Sequence, residues 1–205
     1  MHGMKWIFVG LGNPGGAYAT TRHNAGRIVL DAFRLAHELP DWQKKKTYDA
    51  LVSKGEVFGQ EVLLIEPETY MNESGRSLVL LVKSANQAAQ TVILHDDIDL
   101  PLGTWKLSFD RGSGGQKGVE SIMAVIKTKA FIRVRIGILP TTPTGKPKKP
   151  KGEEAVVKFV LGKWKPEETE VLEKVSKEIV TAIETLLTEG LERTMNKHNK
   201  ISSAL

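Results

Sequence analysis

Short apolar runs, each ending at a glycine or at acidic residues, alternate along this chain with stretches of helical period. "KWIFVG" at 5–10 and "TVILHDD" at 91–97 read as buried strands, and "FIRVRIGIL" at 131–139 alternates as a strand does. "YDALVSKGEVFGQEVLLIEP" at 48–67 reads as two strands joined by a turn at Lys54–Gly55 or Phe58–Gly59. Residues 25–38 place Ile28, Val29, Phe33 and Leu35 at roughly helical spacing. Residues 73–84 form a helix with Leu78, Leu81 and Val82 inward, and 117–127 are helical too. The clearest helix spans 166–190, with Pro166 and acids at its start and Gly190 at its stop. Strands alternating with helices in 205 residues, with no internal repeat, predict one α/β domain over 1–205 with a mostly parallel or mixed sheet. Its one long structureless connection is 141–154, expected as a mobile basic loop because it contains "KPKKPK" at 146–151.

Composition removes several chemistries. The chain has no cysteine, so disulfides, thiolate metal sites and a cysteine nucleophile are excluded. No run approaches the roughly 18 apolar residues of a membrane span. The start, "MHGMKWIFVG", lacks the charged and long apolar regions of a signal peptide. A soluble, cytoplasmic protein is therefore expected, with no membrane partner. The net charge of +5, with basic residues concentrated in "KPKKPK" and around "FDRGSGGQKG", favours a nucleic-acid partner.

"GLGNPG" at 10–15 matches the G-x-G-x-x-G dinucleotide fingerprint. That motif requires a helix to start where a pyrophosphate would sit, and an acid at the end of a second strand. Here Pro14 and the residues from Gly16 to Asn24 are loop-like, and Asp31 falls inside the next helix, so the context fails. The glycines instead let the chain leave a strand sharply. Asn13 sits at the carboxyl end of that strand, where open α/β sheets bind ligands. Its amide either meets a ligand or closes its own turn.

His23 lies in the polar stretch "TTRHN" ahead of a helix, away from any apolar face. His95 stands at a strand end beside Asp96, whereas His2, His37 and His198 lie near a chain or helix end. Asp96, Asp97 and Asp99 in "HDDID" are metal ligands, turn formers or an acid beside a histidine. No second carboxylate cluster has metal-ligand spacing, so a His–Asp dyad is the more economical reading. An aspartate accepting from one imidazole nitrogen leaves the other to take a proton from water. "RGSGG" has Arg where a nucleophile elbow needs Gly, so no activated serine is evident. Hydrolysis of an activated acyl bond, an ester sooner than an amide, fits these groups. Asn72 opens a helix in "ETYMNESGRSL", where it serves as an N-cap or a ligand, and Met71 packs in the core or lines a groove.

Taken in order, "VGLGNPGGAYATTRHNAG", "PETYMNESG", "LHDDIDLPLG", "GSGGQKG", "FIRVRIGI", "FVLGKW" and "GLERTMNKHN" resemble bacterial-type peptidyl-tRNA hydrolases over about residues 5–199. The resemblance implies a single domain whose twisted mixed, largely parallel sheet is packed by helices on both faces, monomeric, with no metal and no cofactor. It implies cleavage of the ester between peptide and tRNA in peptidyl-tRNA, freeing tRNA for translation. By that resemblance His23 is the base, Asp96 the acid that orients it, and Asn13 the holder of substrate, water or oxyanion. Met71 and Asn72 line the peptide cleft, Tyr18 and Asn24 lie at its rim, and Gly114 begins a glycine pair along the substrate.

This chain departs from the family's pattern at several positions. The family reads G-G-H-N-G where this chain has "GGQKG", so Lys117 replaces a substrate- and water-binding Asn and Gln116 replaces a His. Lys117 keeps donors but loses an acceptor, which suits contact with a tRNA phosphate. Glu66 stands where a Lys commonly precedes the Pro, and Ser108 near a usual basic residue. The alternative reading is a non-catalytic RNA-binding relative, of the kind that assists splicing.

Overall fold

The computed structural model describes residues 5–141 and 149–199. Its sheet has seven strands in the order β2-β3-β4-β1-β5-β7-β6. They are β1 (Trp6–Gly10), β2 (Gln43–Lys45), β3 (Ala50–Val57), β4 (Gln60–Pro67), β5 (Thr91–Pro101), β6 (Trp105–Phe109) and β7 (Ile132–Leu139). The four central strands β4, β1, β5 and β7 run parallel. Antiparallel strands β3 and β2 extend one side, and antiparallel β6 closes the other. The β3–β4 turn falls at Phe58–Gly59, where both residues take positive φ, while Lys54–Gly55 stays within β3.

Helices cover both faces. On one face α1 (Ala25–Ala36) and the long α5 (Pro166–Glu189) pack with α4 (Glu153–Val160) and α6 (Leu191–His198) around Phe8, Leu64, Val92 and Leu94. On the other, α3 (Lys117–Ile126) and the 3-10 helix Met71–Leu78 cover Val9, Leu11, Leu63, Ile65 and Ile93. Successive residues of Ile7–Val9 in β1 and of Val92–Leu94 in the first half of β5 thus feed opposite cores, which explains why those stretches are apolar throughout. Short α2 (Ala85–Ala89) is capped by Ser84, whose Oγ accepts from Gln87 N at 3.2 Å. Among the described residues no helix is long and apolar enough to cross a membrane.

Three local readings need correction. Leu35 is 61% exposed, and Leu30 packs inward instead, because the buried line on α1 runs Ala25, Val29, Phe33 at one-turn spacing. The helix expected over 73–84 is a 3-10 helix over Met71–Leu78, though Leu78 and Val82 are buried. Gly75 there lies flush against α3, since a Cβ on it would come within 2.4 Å of Ser121 O. Of the connection at 141–154, residues 142–148 lie outside the described residues, and α4 already begins at Glu153. Lys149, from "KPKKPK", pairs with Asp99.

Candidate active site

The chain leaving β1 passes to α1 on one face, while that leaving β5 passes through β6 to α3 on the other. A crevice forms where connections from neighbouring parallel strands diverge in this way, outside their carboxyl ends. Leu11 N still bonds Leu94 O at 3.0 Å, so the two strands separate only beyond that point. The loop after β1 delivers Asn13 to the crevice, and β5 delivers Asp96 from its middle, just past Leu94 where β1 stops pairing with it. The strand expected to end at "HDD" runs on beside β7 to Pro101.

His23 arrives on the 3-10 turn Arg22–Asn24, directly ahead of α1. That turn can seat so close to the sheet because Gly26 follows it; a Cβ there would lie 2.1 Å from Leu94 O. His23 Nδ1 lies 2.8 Å from Asp96 Oδ2. Burial alone would raise the Asp96 pKa, but the His23 charge and hydrogen bonds from His23 and Gln116 outweigh it and hold the carboxyl below its ordinary value. An ionised carboxylate only accepts, so Nδ1 carries the proton and Nε2 is left as a bare acceptor. Nε2 makes no hydrogen bond among the described residues. Burial disfavours the imidazolium, yet Asp96 more than compensates and the His23 pKa is raised. A neutral imidazole so held can draw a proton from water or a hydroxyl and return it.

Asn13 is buried, and its amide has one possible orientation. Oδ1 accepts from Met71 N at 2.9 Å, which turns Nδ2 away as a free donor. Asn24 grips the same residue from below: Oδ1 accepts from Asn13 N at 2.9 Å and Nδ2 donates to Asn13 O at 3.0 Å. The expectation set Asn24 at the cleft rim; it is 3% exposed and spends its amide on the Asn13 backbone. Arg27 Nη1 adds a bond to Asn13 O at 3.1 Å, while its Nε and Nη2 meet Glu66 at 2.9 Å and Glu68 at 3.0 Å. Burial pushes the Glu66 carboxyl up to about 7 despite the attraction of Arg27.

Gln116, absent from the sequence-derived candidates, touches the dyad directly. Its Nε2 donates to Asp96 Oδ1 at 3.0 Å, and its Oε1 caps α3 by accepting from Val119 N at 2.8 Å. Lys117 begins α3, is exposed, and pairs with Glu120 at 3.3 Å. Met71 is buried in the second core, next to exposed Asn72. Tyr70, not Asn72, is the N-cap of the Met71–Leu78 helix. Tyr18 is half-buried, and its carbonyl receives Thr21 N and Oγ1, shaping the turn that leads to His23. Gly114 and Gly115 take positive φ ahead of α3. His95 faces the interior: its Nδ1 donates to Asp96 O at 2.7 Å and burial keeps it neutral.

Fold and site together define an α/β enzyme of the hydrolase class. Residues 7–204 match the family described as peptidyl-tRNA hydrolase. The peptidyl-tRNA hydrolase of Herpetosiphon aurantiacus is 41% identical, over 95% of this chain and 90% of the relative. That of Syntrophotalea carbinolica is 38% identical, over 94% and 96%. The crystal structure of peptidyl-tRNA hydrolase from Acinetobacter baumannii superposes with a TM-score of 0.84 at 30% identity, covering 97% of this chain and 94% of that one. The chain belongs to the peptidyl-tRNA hydrolase family.

Proposed function

We propose that this protein hydrolyses the ester joining peptide to tRNA in peptidyl-tRNA, with His23 as general base for the attacking water. The observation that carries this reading is the bare Nε2 of His23, fixed by Asp96 at 2.8 Å at the end of the crevice. A water held there gives its proton to Nε2 as its oxygen attacks the ester carbonyl carbon. The carbonyl π electrons pass to the oxygen, and the Asn13 Nδ2 donor meets the developing oxyanion or the neighbouring peptide carbonyl. As the tetrahedral intermediate collapses, the imidazolium returns its proton to the departing ribose oxygen, while Asp96 stabilises the charged ring. General base catalysis contributes about 10²–10⁴-fold and one oxyanion donor about 10²–10³-fold. Alignment of water and ester contributes the rest.

The polyanionic half of the substrate finds a fitting surface beside Gly114. A cavity of about 430 Å³ is lined there by Lys106, Ser108, Arg111, Arg133 and Arg135, with Asp97 paired to Arg135 at its wall. Burial and the neighbouring Arg135 lower the Arg133 pKa, and the buried Ser108 hydroxyl has no partner among the described residues. These donors suit phosphate oxygens. Met71 and Asn72 with the Gly114–Gly115 backbone would flank the peptide, and Lys117, exposed at the start of α3, would reach a phosphate. Tyr18 and Asn24 would act by shaping the loop that presents His23 and Asn13. The protein works as a monomer in the cytoplasm, where translation generates its substrate. The decisive measurement is peptide release from an N-blocked aminoacyl-tRNA by the intact chain and by His23→Ala. Loss of release with retained RNA binding is expected; turnover by the variant overturns the assignment. A parent protein that binds RNA but releases no peptide would point to the non-catalytic alternative.

A further inference from the structure

Asp96 presents two oxygens, and the dyad uses only one. Oδ2 faces His23, while Oδ1 receives Gln116 Nε2 at 3.0 Å. Gln116 cannot turn its amide over, because Oε1 is taken by Val119 N at 2.8 Å; a flip would aim an oxygen at the carboxylate and a nitrogen at an N–H. The same Nε2 lies 3.2 Å from Met71 Sδ, so the side chain is held on a third side. Resting on the reading of His23 as base, we propose that Gln116 is a positioning residue for the hydrolysis, fixing the second oxygen of Asp96 with a donor that does not itself titrate.

The other titratable and charged side chains nearby make their hydrogen bonds elsewhere. His95 turns its Nδ1 to the Asp96 carbonyl and not to the carboxylate. Asp97, next along β5, is bonded to Arg135 at 2.6 Å, and Lys117 pairs with Glu120 on α3. Among the described residues, His23 is therefore the one titrating side chain bonded to the Asp96 carboxylate. A second imidazole at position 116 would end that arrangement, since its own protonation would alter the charge that Asp96 offers His23. With glutamine no second titrating side chain is bonded to the carboxylate, and His95, which acts on Asp96 only through space, is kept neutral by burial. The Gln116–Asp96 bond also disperses part of the carboxylate's negative charge away from His23. Removing it leaves Asp96 more basic toward the imidazolium.

The test separates capping from positioning. Gln116→Ser retains a good helix cap but is too short to reach Asp96; Gln116→Asn serves the same purpose if the serine variant fails to fold. The readouts are the His23 imidazole nitrogen shifts by NMR across pH and the acid limb of kcat/KM. With the donor gone, the His23 titration should move upward by roughly half a unit to one unit, the limb moving with it, while Tm stays near that of the parent. Gln116→His should restore a donor and add a second inflection to the profile. An unchanged His23 titration in a folded Gln116→Ser protein overturns the proposal. If the parent's limb fails to track the His23 titration, or His23→Ala still turns over, it is the reading of His23 as base that falls. The NMR shift would still decide the role of Gln116.

Discussion

The Oδ1 atom of Asn13 is held by the backbone N–H of Met71, 58 residues further along the chain, so the amide offers the crevice a nitrogen and never an oxygen. Asn13→Asp should therefore keep the Met71 bond and the fold while removing the donor and adding a negative charge. A fall in kcat of about 10²–10³-fold, with Tm and RNA binding little changed, is expected from steady-state kinetics and calorimetry. Near-parental kcat would show that Nδ2 meets no developing charge.

The pH dependence has a definite sign. A base works only when neutral, and the His23 pKa is raised above its ordinary value of 6.5. In a kcat/KM profile, the rate at pH 6.5 should thus lie below half of the alkaline plateau. Asp96→Asn removes the charge that sets the tautomer and should lower kcat by about 10²–10⁴-fold. A profile still at its plateau at pH 6.5 contradicts the dyad's electrostatics.

Glu66 should make stability fall as pH rises. Its folded pKa of about 7 exceeds the reference value of 4.5. Its contribution is therefore full below 4.5 and lost as pH climbs through about 7, a difference on the order of 3 kcal/mol. Glu66→Gln keeps an acceptor for Arg27 without the ionisation, so denaturant unfolding should show the variant gaining on the parent between pH 5 and pH 8. Parallel stability curves would refute this.

Arg22 and Glu168 form a buried pair at 2.6 Å, tying the His23 turn to the start of α5. Arg22 also lies over the rings of Phe159 and Trp164. Glu168→Leu strands the guanidinium and should cost about 3–5 kcal/mol in chemical denaturation. Adding Arg22→Met should recover part of that loss. A cost under about 1 kcal/mol for the single variant would mean that water replaces the pair.

The central strands were legible because burial on both faces demands uninterrupted apolar runs. Edge strand β6 was not, though Trp105 and Leu107 alternate with Lys106 and Ser108, because five half-polar residues leave little periodic signal. Helix α6 escaped for a similar reason: of its residues only Thr194 is buried, and Leu191 and Met195 are partly so. In the site, Asn13 and Asp96 stood out as polar residues following apolar strand segments and His23 as a histidine in a polar stretch ahead of a helix, and the fold carries all three to one crevice. The Gln116–Asp96 bond was hidden, since it depends on the turn made by Gly114 and Gly115. The inward turn of Asn24 was hidden as well, because a 3-10 turn aims side chains differently from the α-helix that follows it.

Strand β6 lies at the open margin of the sheet, and the amide of Asn199 lies along it: Leu107 N donates to Oδ1 at 2.9 Å and Leu107 O accepts from Nδ2 at 3.1 Å. An amide side chain there occupies the place of a neighbouring strand, on an edge that would otherwise be free to pair with another chain. The 92 residues between these partners also set a clock. During synthesis at about 5–20 residues per second, the margin stays uncovered for on the order of ten seconds after β6 has emerged. Asn199, at the end of α6, thus acts as a late seal, and the interval before it arrives is when a nascent copy is most exposed to sticking to another.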